Sequence, residues 1–431
     1  MATATLNSNP IALGQDAKIM ALVGLAHGSS HFGHMLLPPL FPLFMREFGL
    51  SFSQVGALMT VFFVVSGIGQ ALMGFVVDRV GARPALFTAL ATFALACLAA
   101  SLAQGYGGLV FAAALAGLAN SPFHPADFTI LNQRISTPRI GYSFSVHGIT
   151  GSLGWALAPP FFVLMLSLTD WRQAYLAAAL LYVGVLALLV WNRQLLSTQV
   201  ARSGKEPAHS PSDAPTDALA KTTAQQATVQ PAAAHTLAFM KLAVVWWCFG
   251  FFLLSTMTLA VVQSYSVPLL QALHHSSFEA ATATLTAYMF CGALGMLVGG
   301  FVSARFAAHS DRVVAWCMAA GAVFMALCAS AWLGAVGSMV LLALAGLAIG
   351  IGGPSRDMMI KRAAPKGATG RVYGTVYSGL DVGFALSPIV FGQFMDRGWY
   401  SGTLLGAALT LLVSVAAALA VGKRTAAASL A

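Results

Sequence analysis

The feature that most constrains the fold of this chain is a regular series of long apolar segments. Twelve of them follow one another along the 431 residues, and each has the ~20 apolar residues that a helix needs to cross a ~30 Å hydrocarbon layer. With 58% hydrophobic and 8% charged residues, the composition excludes an ordinary soluble domain. The runs are continuous, which also excludes the ~10-residue alternating strands of a membrane β-barrel. The segments lie at roughly 19–45, 54–77, 84–104, 107–131, 140–166, 171–191, 239–265, 278–301, 313–334, 338–360, 371–394 and 399–421.

The distribution of the basic residues indicates the topology. Of the 22 Lys and Arg residues, all but Arg46, Arg172 and Arg397 fall on one side of the twelve-helix arrangement. Cytoplasmic loops carry such an excess of Lys and Arg. The sequence therefore predicts an all-α membrane protein of twelve transmembrane helices with both termini in the cytoplasm. The formal charge of +9 follows from the same rule, since basic side chains lie against anionic lipid, and we expect no nucleic-acid partner.

The chain divides into two halves joined by a long polar segment. Residues 192–236 are rich in Ala, Thr, Pro and Gln without apolar periodicity, which is typical of a flexible linker. We therefore expect an N-terminal bundle of six helices over 1–191, a cytoplasmic linker over 192–236 and a C-terminal bundle over 237–431. The halves also repeat at an offset of 229 residues, where Pro125 aligns with Pro354 and Pro159 with Pro388. Six helices return each half to the side on which it began, so the two bundles are parallel repeats.

A cluster of glycine, acidic and basic residues follows the second predicted helix. It reads Gly-Phe-Val-Val-Asp-Arg-Val-Gly-Ala-Arg over 74–83 and resembles the G-x-x-x-D-R-x-G-R-R signature of the major facilitator superfamily, with Ala82 in place of a basic residue. The resemblance implies the major facilitator fold, two six-helix bundles, with this cluster closing the cytoplasmic side in the outward-open state. A plain solvated loop is the alternative. The predicted gating residues are Gly74, Asp78, Arg79, Gly81 and Arg83.

The first, fourth and fifth predicted helices narrow the resemblance. The first contains His27 and His31, the fourth reads Phe-His-Pro over 123–125, and the fifth carries Gly148, Gly151, Gly154 and Pro159. These positions resemble the fosmidomycin-resistance branch of the superfamily, whose members are proton-coupled drug exporters. That branch has H-x-x-x-D in the first helix, whereas here a histidine stands where the acid would be. Small residues in the fifth helix also serve ordinary close packing of helices.

Histidines are the first candidates for proton coupling. His27, His31 and His34 are spaced four and three residues apart and share one face of a helix. In the superfamily, the first and fourth helices line the central cavity, and His27, His124 and His147 lie at similar depths. Imidazole titrates near pH ~6.5, so His27, His31, His124 and His147 are predicted to couple protons, and His34 to bind substrate. The alternative is that each histidine hydrogen-bonds a neighbouring helix.

Two charged residues within the second half are further candidates. Asp381 lies near the middle of the eleventh predicted helix, where a charge costs several kcal/mol unless it is paired or neutralised. It is predicted to couple protons, and a structural hydrogen bond to Tyr377 or Ser378 is the alternative. Arg356 in the tenth helix is predicted to bind an anionic group of the substrate, or else to extend to the cytoplasmic surface.

The remaining predicted substrate-binding residues are Gln263, Tyr265 and Tyr377. Motifs for other chemistry are absent from the sequence: it has no H-E-x-x-H and no G-x-x-x-x-G-K-[ST], and its five cysteines show no paired spacing. The sequence thus predicts neither an enzyme nor a cofactor, a metal ion or a disulfide.

Together these observations predict a secondary active transporter in a bacterial inner membrane. The leading interpretation is export of a small organic compound, a drug or metabolite, by proton antiport through alternating access. Proton-coupled import of an organic anion remains open, because the motifs do not encode the direction of transport. A sensor without transport activity is a third interpretation. From the family resemblance, we expect a monomer whose partners are its substrate, protons and lipid.

Overall fold

The structure, a computed structural model, describes residues 13–136, 139–198, 238–363 and 369–430. The regular structure in these ranges is entirely helical. The helices are α1 (Leu13–His34), α2 (Phe41–Phe48), α3 (Phe52–Val80), α4 (Ala82–Ser101), α5 (Tyr106–Asn120), α6 (Phe123–Arg134), α7 (Ile140–Leu168), α8 (Trp171–Trp191), α9 (Ala243–His274), α10 (Phe278–Arg305), α11 (Ser310–Ala329), α12 (Gly334–Ala363), α13 (Thr369–Asp396) and α14 (Tyr400–Leu430).

The helices of these described ranges form twelve crossings, two of which are interrupted at proline. A short 3-10 turn over Pro38–Leu40 separates α1 from α2, and Pro122 separates α5 from α6. Proline lacks the amide proton that a continuous helix would use. The twelve predicted segments thus match the observed crossings. The predicted linker lies outside the described residues from residue 199 onward.

Eleven segments within the described ranges are long and apolar enough to span a membrane. The crossing that does not meet this criterion is α1, which carries Asp16, Lys18 and three histidines within 22 residues. Most of its polar side chains are buried against other helices rather than turned toward lipid. Polar residues inside a membrane face the bundle interior and mark functional sites. The least apolar crossing is therefore the one in which to look for function.

Small residues bring the helices of each half into close contact. A side chain at Gly154 of α7 would overlap the carbonyl of Gly28 in α1, and one at Gly350 of α12 would overlap the carbonyl of Gly292 in α10. In a membrane the hydrophobic effect does not drive helices together, because lipid is as apolar as their side chains. Close approach at glycine stabilises the bundle instead, through direct packing of the helix backbones. Within the first half α1 packs on α7, and within the second α10 packs on α12.

The two halves meet mainly along α3 with α13 and α7 with α10. Near the start of α3, the carboxylate of Asp396 accepts hydrogen bonds from the backbone N–H groups of Phe52 (2.6 Å) and Ser53 (3.0 Å). Further along, Thr60 donates to the carbonyl of Ala385 at 2.8 Å, and the rings of Phe63 and Phe384 stack at 4.2 Å. We call this side of the molecule the Asp396 end and the opposite side, where α3 finishes, the Asp78 end.

The contact between α3 and α13 weakens toward the Asp78 end. Gly67 faces the side chain of Asp381, and a Cβ added at this glycine would lie 3.2 Å from the Cβ of the aspartate. Beyond it Leu72, Phe75 and Val76 of α3 are exposed. The hydrogen bonds and ring contacts between α3 and α13 described above thus lie toward the Asp396 end.

Candidate functional site

The histidines of α1, α6 and α7 form one buried cluster. The ring of His27 lies 3.4 Å from that of His147, 4.5 Å from that of His31 and 5.2 Å from that of His124, between centroids. His27 and His147 are buried, and His31 and His124 are half-buried. The structure brings together His27, His124 and His147, which the sequence placed at similar depths, and His31 beside them. Their role in proton coupling stays a prediction.

Asp127 holds the cluster together. Its Oδ2 lies 3.2 Å from Nδ1 of His27 and 3.2 Å from Nε2 of His147, so one carboxylate oxygen bridges α1 and α7 from α6. The side chain is fully buried, and its Oδ1 has no hydrogen-bond partner within the described residues. Asp127 was not among the candidate residues that the sequence predicted. Its position three residues after His124, on the same helix face, was the signal that pointed to it.

The position of the ring protons depends on the charge of Asp127. If its carboxylate is ionised it only accepts, and His27 then donates from Nδ1 and His147 from Nε2. The other ring nitrogens, Nε2 of His27 and Nδ1 of His147, then carry lone pairs. The result is a site with one buried negative charge and two imidazoles of defined tautomer.

His34 belongs to a separate chain of hydrogen bonds. Trp155 Nε1, which can only donate, lies 3.2 Å from Nδ1 of His34, so the proton of His34 is on Nε2 and is donated to Asn120 at 3.1 Å. Asn120 in turn donates to Ser66 at 2.8 Å. Both ring nitrogens of His34 are hydrogen-bonded within the protein in this state. This is the alternative in which a histidine bonds a neighbouring helix instead of binding substrate.

Glycine at position 151 lets two of the histidines pack directly on α7. A side chain at Gly151 would place its Cβ 2.8 Å from Nδ1 of His31 and 3.0 Å from Nε2 of His27. Nδ1 of His31 is buried without a hydrogen-bond partner in the described part of the chain. An unpartnered buried nitrogen costs free energy unless a ligand or water satisfies it.

Asp381 lies apart from the cluster, at the contact between the halves. It faces Gly67 of α3 from α13. The described residues supply its carboxylate with no hydrogen bond or ion pair. The alternative contacts with Tyr377 and Ser378 are not formed, because Tyr377 donates to Asp357 at 3.2 Å and Ser378 donates to the carbonyl of Thr375 at 2.7 Å.

Arg356 is part of a polar group on α9, α12 and α13. Its Nε donates to Asp357 at 3.0 Å, and its guanidinium lies 4.9 Å from the centre of the Phe252 ring. Tyr377 completes the group through its hydrogen bond to Asp357. The side chain of Arg356 is 28% exposed. Asp357 and Phe252 therefore hold the guanidinium of Arg356 in one orientation. A guanidinium fixed in this way can bind a planar anion through paired hydrogen bonds.

Gln263 and Tyr265 of α9 occupy different environments. Both amide atoms of Gln263 are buried without partners among the described residues, and Ser266 one turn along is likewise unpartnered. Tyr265 is fully buried, and its hydroxyl donates to the carbonyl of Pro388 at 2.9 Å and lies 3.3 Å from that of Phe52. Gln263 thus has unmet hydrogen-bonding capacity, whereas Tyr265 bridges the halves at the Asp396 end.

The predicted gating residues lie at the Asp78 end. Asp78 and Arg79 are exposed, Gly81 adopts φ +93°, and Arg83 donates to the carbonyl of Arg193 at 3.3 Å. Positive φ is the conformation in which glycine is favoured. A side chain at Gly74 would meet no atom within 4 Å, so this glycine makes no close approach in the state described.

Sequence comparison decides the family. The model of the Major Facilitator Superfamily matches residues 23–309 and 262–430, which together cover most of the chain. The chain belongs to the Major Facilitator Superfamily. Its members are membrane transporters of small molecules rather than enzymes. The resemblance drawn from residues 74–83 is confirmed.

Curated relatives of this superfamily member align over part of their length. The fosmidomycin resistance protein of Escherichia coli is 27% identical over 141 residues, 33% of this chain and 34% of the relative. The hexuronate transporter of the same organism is 22% identical over 176 residues, 41% of each. The chain thus covers less than half the length of each relative. The match to a drug-resistance protein and a sugar-acid transporter leaves the substrate class open.

Solved structures share the fold of the described residues. A bacterial homologue of the human lysosomal transporter Spinster, in an inward-facing and occupied conformation, superposes with a TM-score of 0.68 at 13% identity and covers 97% of both chains. This confirms the predicted major facilitator architecture of two six-helix bundles.

Proposed function

We propose that this protein is a secondary active transporter that exports a small organic compound by proton antiport. The observation that carries this proposal is Asp381, a carboxylate of α13 that has no partner among the described residues and faces Gly67 across the contact between the halves. Helices of the two halves slide or rock past one another at this contact during alternating access. A residue at that position changes its surroundings with every transport cycle.

The proposed coupling rests on the cost of a buried charge. An ionised Asp381 without a partner is stable only where water reaches it, since burial of an unpaired carboxylate costs several kcal/mol. A protonated Asp381 can be enclosed between the halves. Proton uptake on one side and release on the other therefore permits the rearrangement, and the gradient drives substrate the opposite way.

The direction follows from the predicted orientation. If the basic loops are cytoplasmic, the Asp396 end faces the outside of a bacterial inner membrane, and the Asp78 end faces the cytoplasm. The contacts between the halves toward the Asp396 end then describe a state open to the cytoplasm, ready to take up substrate for export. The match to a fosmidomycin resistance protein supports the same direction.

Transport by purified protein in vesicles tests this proposal. With a proton gradient imposed, candidate drugs and organic anions are added outside while the internal pH is followed. We expect alkalinisation of an acidic interior on addition of substrate, and its loss in Asp381→Asn. The matched control is Asp311→Asn, in which the aspartate lies in the first turn of α11. Full coupled transport by Asp381→Asn would overturn the assignment.

Import of an organic anion by proton symport is the second candidate, and Arg356 favours it. A partly exposed guanidinium set over Phe252 and held through Nε by Asp357 offers its two terminal nitrogens to a carboxylate. The match to a hexuronate transporter supports an anionic substrate. Arg356→Lys keeps the charge but loses paired hydrogen bonding, so a tenfold or larger rise in KM for an anion alone would favour import.

A further inference from the structure

We propose that His27, His124 and His147 form a binding site for a divalent transition-metal ion of the zinc class. One ring nitrogen of each of these residues lies within 4.8 Å of the corresponding nitrogens of the other two. The three side chains come from three different helices, α1, α6 and α7. Their convergence is therefore a property of the folded bundle and not of a local sequence motif, which is why no metal was expected from the sequence.

The distances are close to those of a bound ion. Zinc binds imidazole nitrogen at ~2.0–2.1 Å in tetrahedral geometry, which places ligand atoms about 3.4 Å apart. Nitrogens within 4.8 Å of one another are already gathered around one point, but the rings of His27 and His147 stack with 22° between their planes. The rings must therefore turn toward the ion when it binds.

Asp127 supplies the outer layer that such a site needs. A histidine that binds a metal usually donates its other N–H to a carboxylate, which fixes the tautomer and raises the basicity of the ligand. Asp127 accepts from Nδ1 of His27 and Nε2 of His147 at 3.2 Å each. The remaining nitrogens of both rings carry lone pairs, the form required for coordination. The negative charge of the Asp127 carboxylate also offsets one of the two positive charges of the ion.

His31 is a candidate for the fourth ligand. Its Nδ1 is buried and unpartnered in the described part of the chain, and it lies with His27 Nε2 against Gly151. Three protein ligands with a fourth position filled by a further ligand is a recurrent zinc arrangement. His31 or a small anion from the cavity can complete the coordination.

The donor set selects the class of ion. Imidazole nitrogens suit Zn²⁺, Co²⁺, Ni²⁺ and Cu²⁺, whereas Mg²⁺ and Ca²⁺ prefer oxygen ligands. With one carboxylate outside the ligand shell and three neutral imidazoles inside it, the site favours the first group. Zn²⁺ serves as the probe for affinity, and Co²⁺ serves as the probe for geometry through its visible absorption.

Calorimetric titration of the full-length protein with Zn²⁺ tests the proposal. The protein is purified with a tag that contains no histidine. We expect one ion per chain bound at micromolar or tighter affinity, and a Co²⁺ spectrum with tetrahedral character. His124→Ala and His147→Ala should each weaken Zn²⁺ binding at least 100-fold. His275→Ala, which removes an imidazole from the end of α9, should leave it unchanged.

If a histidine-to-alanine variant fails to fold, two variants that keep all three histidines, Asp127→Asn and Gly151→Ala, still test the proposal. Asp127→Asn preserves shape and all three ligands, and loss of the outer carboxylate should weaken Zn²⁺ binding about 10- to 100-fold. Gly151→Ala should weaken it, because the added methyl group would lie 2.8 Å from Nδ1 of His31 and 3.0 Å from Nε2 of His27 and would displace both rings. Asp381→Asn should bind Zn²⁺ like the wild type, because the metal site is independent of the proposed coupling residue. Absence of binding in the wild type, or unchanged binding in Asp127→Asn and the two alanine variants, would overturn the proposal.

Discussion

Asp396 at the end of α13 caps the start of α3 in the other half of the molecule. Its two carboxylate oxygens accept from the backbone N–H groups of Phe52 at 2.6 Å and Ser53 at 3.0 Å, which have no partner within their own helix. A negative charge at a helix N-terminus is also favoured by the helix dipole. Because the partners belong to different halves, this cap exists only while the Asp396 end is closed.

Asp396→Asn should shift the protein toward opening at this end. The amide retains one acceptor but loses the charge, and since the pair is exposed the expected loss is about 1 kcal/mol, roughly fivefold in the ratio of states. Reaction of a cysteine placed at Ser53 with an impermeant reagent reports the change. Asp170→Asn is the control, since Asp170 caps Gln173 at 2.9 Å within one half. Equal reactivity in both variants would contradict the cap's role in closure.

Gly154→Ala should destabilise the first half. The added methyl group overlaps the carbonyl of Gly28, so α1 and α7 must move apart, at a cost of about 1–3 kcal/mol. The measurement is the unfolding temperature of the purified protein. Gly184→Ala in α8 is the matched control, because its methyl group meets no atom within 4 Å. If both variants unfold at the same temperature, the close approach of α1 to α7 is not required for stability.

The variant Gln263→Leu tests whether the amide of Gln263 binds substrate or only contributes to the packing of the helices. The buried amide has no partner among the described residues, and replacing it with an apolar side chain of similar size removes a penalty of about 1–3 kcal/mol. We therefore expect the variant to be at least as stable as the wild type, and its transport to be reduced if the amide binds substrate. Normal transport together with raised stability would remove Gln263 from the binding site.

Asp78→Asn tests the predicted gate. Asp78 is exposed in the described state, so its substitution should leave the unfolding temperature unchanged. If the carboxylate closes the Asp78 end in the alternate state, the variant should turn over more slowly and expose cysteines at that end more fully. Accessibility equal to that of the wild type would count against the gate.

Much of the architecture was predictable because its causes are local. A run of about twenty apolar residues has few alternatives to a membrane helix, and the cluster at residues 74–83 resembles one family. The histidine spacing in α1 likewise placed His27 and His31 on one face.

What the sequence by itself determined about this protein was its set of membrane helices, its family and the presence of an unusual number of polar residues within one crossing. Only the tertiary structure decided which of those residues meet. Asp127 becomes the centre of the histidine cluster because α6 packs against α1 and α7, whereas both ring nitrogens of His34 are hydrogen-bonded by Trp155 and Asn120. Helix formation depends on neighbours along the chain, but contact between side chains on different helices depends on how the helices pack, which no local pattern specifies.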